Sequence, residues 1–272
     1  MIRKEEWGEA KFCFSPIFMN VDILLIGCGG TGGSFFSKMA RFLAGLNTEN
    51  MNISFRIMDG DYVEAKNLGR QPFVEEDIGR NKAVALANAA EEALDLKVKA
   101  YPQYLSPKTS GVLHQQVFSS SSSSDLKVVI GAVDNHVCRK MLHEYFIQYK
   151  GWQCLFYIDA ANELSSGEIV IGKRDHNDIE APDRCHYYPE ILTDEGKAPY
   201  EMSCEELNQV APQHLATNSI AADLLFSFVV QLLAAGEYAC KAPGGIVYFD
   251  AFKMFSRFDV YQEERHGKIV KK

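Results

Sequence analysis

No two of the seven cysteines form a C-x-x-C pair; they stand at positions 13, 28, 138, 154, 185, 204 and 240. A zinc knuckle therefore has no support, and an odd, scattered set does not make a disulfide framework. No zinc is expected. A signal peptide is also missing, so a reducing cytoplasm is the simplest compartment. There is no basic excess: 28 Lys and Arg against 36 Asp and Glu leave a net charge of −8. With a pI near 5.4, a nucleic-acid surface is not expected. The longest apolar run, Ile220 to Ala235, is broken by Asp223 and Gln231. Too few consecutive apolar residues remain for a membrane span, and the run reads as a core helix. Internal repeats are lacking, and the six serines at 119–124 read as a solvated loop.

What is present is a globular composition, 47% apolar and 24% charged over 272 residues, ample for a buried core. No domain boundary stands out, so residues 1–272 are read as one domain with a nucleotide-binding part at about 21–150. Residues 21–33 read Val-Asp-Ile-Leu-Leu-Ile-Gly-Cys-Gly-Gly-Thr-Gly-Gly, an apolar strand entering a glycine-rich turn. Gly27, Gly29 and Gly32, with Gly30 between, meet the G-x-G-x-x-G spacing, and Ser34 to Leu46 continues at helical period. Glycines let the backbone turn tightly and approach a phosphate, whose charge meets the free N–H groups of the next helix.

The pattern then alternates. Strands are expected at Ile53–Met58, Lys97–Tyr101 and Val128–Val133, with helices at Ala83–Leu94, 107–118 and from Asn135 through Tyr149. Leu155–Asp159 and Gly167–Gly172 read as neighbouring strands. Residues 173–213, with Pro182, Pro189, Pro199 and Pro212, read as a long crossover loop. A buried helix over 214–235 and strands at Ile246–Asp250 and Met254–Phe258 close the chain. The fold class is α/β: a doubly wound, mostly parallel Rossmann-like sheet with a terminal antiparallel strand pair.

Four further positions fall where open α/β sheets bind ligands, at the carboxyl ends of the strands. Asp59 is placed to accept hydrogen bonds from a ribose, or to shape the turn before Gly60. Arg70 offers a guanidinium for phosphate oxygens, though exposed loop arginines are often only solvated. Lys82, opening a helix after Asp77-Ile78-Gly79, is a second phosphate cation or a plain surface lysine. Asp134 is a hard oxygen ligand suited to Mg²⁺, or a helix N-cap.

Taken in order, Gly27-Cys-Gly-Gly-Thr-Gly, Asp59-Gly-Asp61, Asn67-Leu-Gly-Arg-Gln71, Asp77-Ile-Gly79 with Lys82, and Ala132-Val-Asp-Asn135 resemble the ThiF/MoeB/ubiquitin-activating superfamily. The resemblance covers residues 21 to about 173. It implies ATP-dependent adenylation of the C-terminal carboxylate of a ubiquitin-like protein, with Mg²⁺, in a homodimer. By the same match Asp59 would hold the ribose, Arg70 and Lys82 the phosphates and Asp134 the magnesium. Asp61, Asn67 and Gln71 would support the pocket, and Asn135 completes its last motif. The run Ser203-Cys204-Glu205-Glu206-Leu207, with Gln213, Asn218 and Ala221, is similar to the ThiF-like proteins of the PRTRC gene cluster.

Two departures accompany the match. The paired C-x-x-C motifs common in ThiF and MoeB are missing, and Arg3 is the sole candidate for the arginine that a partner subunit inserts in MoeB-like dimers. Cys204 is the candidate thiol for a second step that takes the acyl group from AMP, with Cys185 beside His186 as the weaker choice; an inert cysteine is the competing reading. Adenylation of a small-molecule or tRNA carboxylate is the related alternative. An NAD(P)-dependent oxidoreductase shares the first turn but has no use for Arg70, Lys82 and Asp134 as a set. A non-catalytic binding subunit is the third class, and retention of that set argues against it.

Overall fold

The computed structural model describes residues 19–46, 51–107, 125–197 and 214–262. Arg3, Cys13, Cys204, Gln213, the six serines and nearly all of the helix expected over 107–118 lie outside the described residues. One sheet of nine strands runs through the rest, in the order β3-β2-β1-β4-β5-β6-β8-β9 with β7 paired to β6. Strands β1 (Met19–Ile26), β2 (Met51–Met58), β3 (Lys99–Tyr101), β4 (Leu126–Gly131) and β5 (Cys154–Asn162) are all parallel. From β5 onward, β6 (Ser166–Asp175), β7 (Asp178–Ala181), β8 (Gly245–Asp250) and β9 (Phe255–Val260) pair antiparallel. The antiparallel part is thus larger than the terminal pair that the sequence predicts.

The parallel strands are apolar on both faces because helices cover both. Ile23, Leu25, Ile57, Val128, Ile130, Phe156 and Ile158 face one way, under α1 (Gly30–Ala44), α2 (Lys82–Leu94) and α6 (Leu215–Ala235). Leu24, Ile26, Met58, Val129, Leu155 and Tyr157 face the other way, against Cys138, Leu142 and Phe146 of α3 (His136–Gln148). Helix α6 is long and apolar enough to cross a membrane by length and composition alone. In the fold it packs on α1, β5 and β6, and its exposed stripe is Asp223, Ser227 and Gln231, one helical turn apart each.

The charged run Lys173-Arg174-Asp175 does not begin a loop; it extends β6 past the expected end at Gly172. Arg174 is buried there because its guanidinium donates to the carbonyls of Phe146 and Ile147 at 2.8 and 2.7 Å, the last turn of α3, where cations and free carbonyls suit each other. Lys173 pairs with Glu180 of β7. After β7 come two single turns, α4 (Arg184–Tyr187) and α5 (Glu190–Thr193). Lys127 on β4 is also fully buried; its amine sits 5.5 Å over the Tyr149 ring, and burial pulls its pKa down to about 8.

Candidate active site

Parallel strands β1 and β4 are neighbours, yet their crossovers run in opposite directions, so a crevice opens beyond their carboxyl ends. The structure has a cavity of about 570 Å³ there, within the usual range for a small-molecule site. Its floor is the glycine turn. Gly27 adopts φ +93°, and a Cβ on it would lie 2.4 Å from the Ala132 carbonyl; a Cβ on Gly32 would lie 1.9 Å from the carbonyl of Gly27. A Cβ on Gly29 would instead find only Gln71 Nε2, 4.0 Å away, so the turn is closed behind and open toward the cavity.

Helix α1 starts at Gly30, four residues before the Ser34 start that the sequence predicts. Its N-cap is Gly29, without a side-chain cap and with no acidic residue in the first turn. The N–H groups of that turn have no acceptor within the helix, and the helix dipole adds to their pull on an anion. This suits a phosphate.

The predicted residues gather around that point. All of the candidate nucleotide-binding residues line the cavity except Gly32, which is buried beneath the turn. Their roles divide. Asp59 is buried, and its oxygens accept from the backbone N–H of Cys28 and Asp61 at 2.5 and 2.7 Å, so it braces the turn. Burial first, and the charge of Asp61 second, push its pKa up to about 6. Lys82 pairs with Asp61 at 2.8 Å, and the Tyr104 hydroxyl donates to the same carboxylate. Burial opposes the Lys82 charge, but Asp59 and Asp61 outweigh it and hold the amine above its ordinary value.

Arg70 faces the cavity half-buried, with no side-chain partner among the described residues. Asn67 is structural: its Oδ1 accepts from Glu64 N at 2.9 Å. Gln71 carries a buried Oε1 that has no hydrogen-bond partner among the described residues. The capping role considered for Asp134 belongs to Asn135, whose Oδ1 accepts from Cys138 N at 2.8 Å. Asp134 is left exposed on the cavity rim with no partner among the described residues, free to hold a hard cation.

Other participants were not anticipated. Arg139 lines the cavity and is buried. It donates to both oxygens of Asp159 at 3.2 Å and to the Val133 carbonyl at 2.7 Å, fixing the loop that carries Asp134. Asp159 also accepts from Arg184 at 2.7 Å and from the Tyr157 hydroxyl at 2.9 Å. Arg184 continues to Glu168, which accepts from Tyr188 at 2.6 Å. The signal in the sequence was the position of Arg139, one helical turn past the Asn135 cap. Cys185 is buried, and desolvation pushes its thiol up to about 12; such a thiol stays protonated and unreactive. Zinc-capable side chains do come together despite the missing C-x-x-C: His143 with Asp183 and Cys185, and Cys154 with Asp175 and Cys240, each set within 4.8 Å.

A family model described as the ThiF family matches residues 18–171. No curated protein sequence matches significantly. Among solved structures, that of PaaA aligns with a TM-score of 0.58 and 17% identity, covering 88% of this chain and 64% of that one. E. coli MccB with AMPCPP and MccA aligns at 0.56 and 14%, covering 91% and 65%. E. coli MccB with ATP aligns at 0.54 and 17%, covering 88% and 63%. At such identities the likeness speaks to fold, and this chain spans less than two thirds of the length of each. The matched span takes in the glycine turn, Arg70, Lys82, Asp134, Arg139 and Asp159 and is more than half of the sequence, and the chain belongs to the ThiF family.

Proposed function

We propose that the chain is an adenylyltransferase that uses Mg-ATP to activate the C-terminal carboxylate of a peptide or small protein, in the finer reading a ubiquitin-like one. One observation carries this: an uncapped helix N-terminus, two cations and a carboxylate without a partner among the described residues line a single cavity. When bound, Mg-ATP supplies an electrophilic α-phosphorus and pyrophosphate as the leaving group. A carboxylate oxygen forms the new bond to phosphorus as the bond to pyrophosphate breaks. No strong base is needed, because the nucleophile is already ionised. What the protein contributes is position and charge. The first-turn N–H groups of α1, Arg70 and Lys82 offset phosphate charge, and Asp134 holds the cation. E. coli MccB has been solved with ATP and with AMPCPP and MccA, which supports a nucleotide and a polypeptide here. Cys204 is proposed as acceptor thiol for a second step on its sequence position alone, and a cytoplasmic homodimer completes the reading.

The test is calorimetry together with ATP–pyrophosphate exchange. ATP should bind in preference to NAD. Asp134→Ala should lower the exchange supported by a cognate carboxylate by at least about a hundredfold, the scale of losing one electrostatic contact at a reacting phosphate, while the melting curve stays unchanged. Tighter binding of NAD would overturn adenylation.

A further inference from the structure

The cavity reaches further than a phosphate chain at α1 requires. Asp59 ends β2 on one side of β1, while Ala160, Ala161 and Asn162 end β5 on the other. Three strand spacings, about 14 Å, separate those ends. The cations and Asp134 serve the nucleotide. At the end of β5 the strand itself contributes two alanines and one amide to the lining, and the neighbouring Arg139 is already committed to Asp159.

That amide is held in a built arrangement. Asn162 Nδ2 donates to Asn218 Oδ1 at 2.6 Å, and Thr31 Oγ1 lies 3.3 Å from both Asn162 Oδ1 and Asn218 Oδ1. An asparagine offers two donors and two acceptor lone pairs, so Asn162 keeps one of each for the cavity it lines. Asn218 is fully buried in the first turn of α6, and its Nδ2 has no partner among the described residues. A Cβ on Gly30 would come within 2.1 Å of that nitrogen, so the orphan donor presses on the turn where α1 begins. Buried donors are rarely left unpaired. A free donor beside a free acceptor is the complement of a peptide group, and it is a poor match for a phosphate, which asks for donors alone.

We propose that Asn162 recognises the acyl substrate by hydrogen-bonding the main-chain amide next to its reacting carboxylate, with Asn218 and Thr31 as positioning residues. This rests on the adenylation reading and adds to it the side chain that tells a peptide C-terminus from a simple carboxylic acid. The small side chains of Ala160 and Ala161 leave room for an extended main chain beside Asn162.

Two acyl-adenylate mimics test this by calorimetry: 5′-O-[N-(acetylglycyl)sulfamoyl]adenosine, which carries the amide, and its N-pentanoyl counterpart of equal length, which does not. The wild-type protein should bind the acetylglycyl mimic about tenfold tighter, the scale of one or two satisfied hydrogen bonds. Asn162→Ala, at a half-buried position, should erase that preference and leave ATP affinity unchanged. Asn162→Gln, which keeps the amide, should retain part of it. Equal binding of the two mimics, a preference that survives Asn162→Ala, or an equal loss of ATP affinity would overturn the assignment, and adenylation would stand on the ATP result. If neither mimic nor ATP binds, both readings fall.

Discussion

At the scale of single residues the site is tuned by burial as much as by charge. The sequence offers Asp59 either to a ribose or to the turn before Gly60, and in the structure its oxygens accept from backbone N–H groups that hold the glycine turn. Its pKa of about 6 has a consequence for stability. A carboxyl whose pKa is raised by folding contributes fully below its unfolded value near 4, and that contribution is lost as pH rises through 6. In urea titrations, wild-type protein should therefore lose roughly 2 kcal/mol relative to Asp59→Asn between pH 4.5 and 7.5. The slope of the difference is the readout, since any fixed cost of the amide cancels. A flat or opposite slope would mean that Asp59 is ionised throughout. The oxygen of Gln71 and the carboxylate of Asp134, both without a partner among the described residues, face the cavity as well.

At the scale of elements, the parallel half was legible because periodicity is local. An unbroken apolar strand, a glycine turn and a helix succeed one another within thirty residues, and each carries its own pattern. The segment after β6 was not legible, because Lys173 and Arg174 look solvated until the end of α3 supplies carbonyls to Arg174 and β7 supplies Glu180 to Lys173. The pairing of Asn162 with Asn218 was beyond reach for the same reason, since 56 residues separate them. The Asp159 network belongs to this scale too, joining α3, β5, β6 and α4. Removing one partner from a buried ion pair costs about 3–5 kcal/mol, because the other charge stays buried. Arg139→Met should cost about that much in denaturant unfolding and should loosen the loop that bears Asp134. A loss below about 1 kcal/mol would show that Arg184 and Tyr157 satisfy Asp159 without it.

At the scale of the whole molecule, β9 ends the sheet with all six residues exposed. Phe255, Phe258 and Val260 stand out on it, with Phe252 and Met254 in the turn before it, and an apolar edge without a partner strand among the described residues is a template for pairing. Phe249 is buried in the core, while Phe252 is 60% exposed. Light scattering at micromolar concentration should give about twice the 30.5 kDa chain mass, and Phe258→Lys should shift it toward the single chain. A single-chain mass for the wild type would remove the homodimer from the proposal. The middle of the sheet has its own consequence. Lys127 combines full burial with an amine pKa near 8, so at neutral pH a share of about one molecule in ten carries it as a free base. That amine is a good nucleophile with no solvent route to it. Acylating reagents will mark the surface lysines first and reach Lys127 only when β4 leaves the sheet, which makes this one residue a chemical clock for the opening of the whole core.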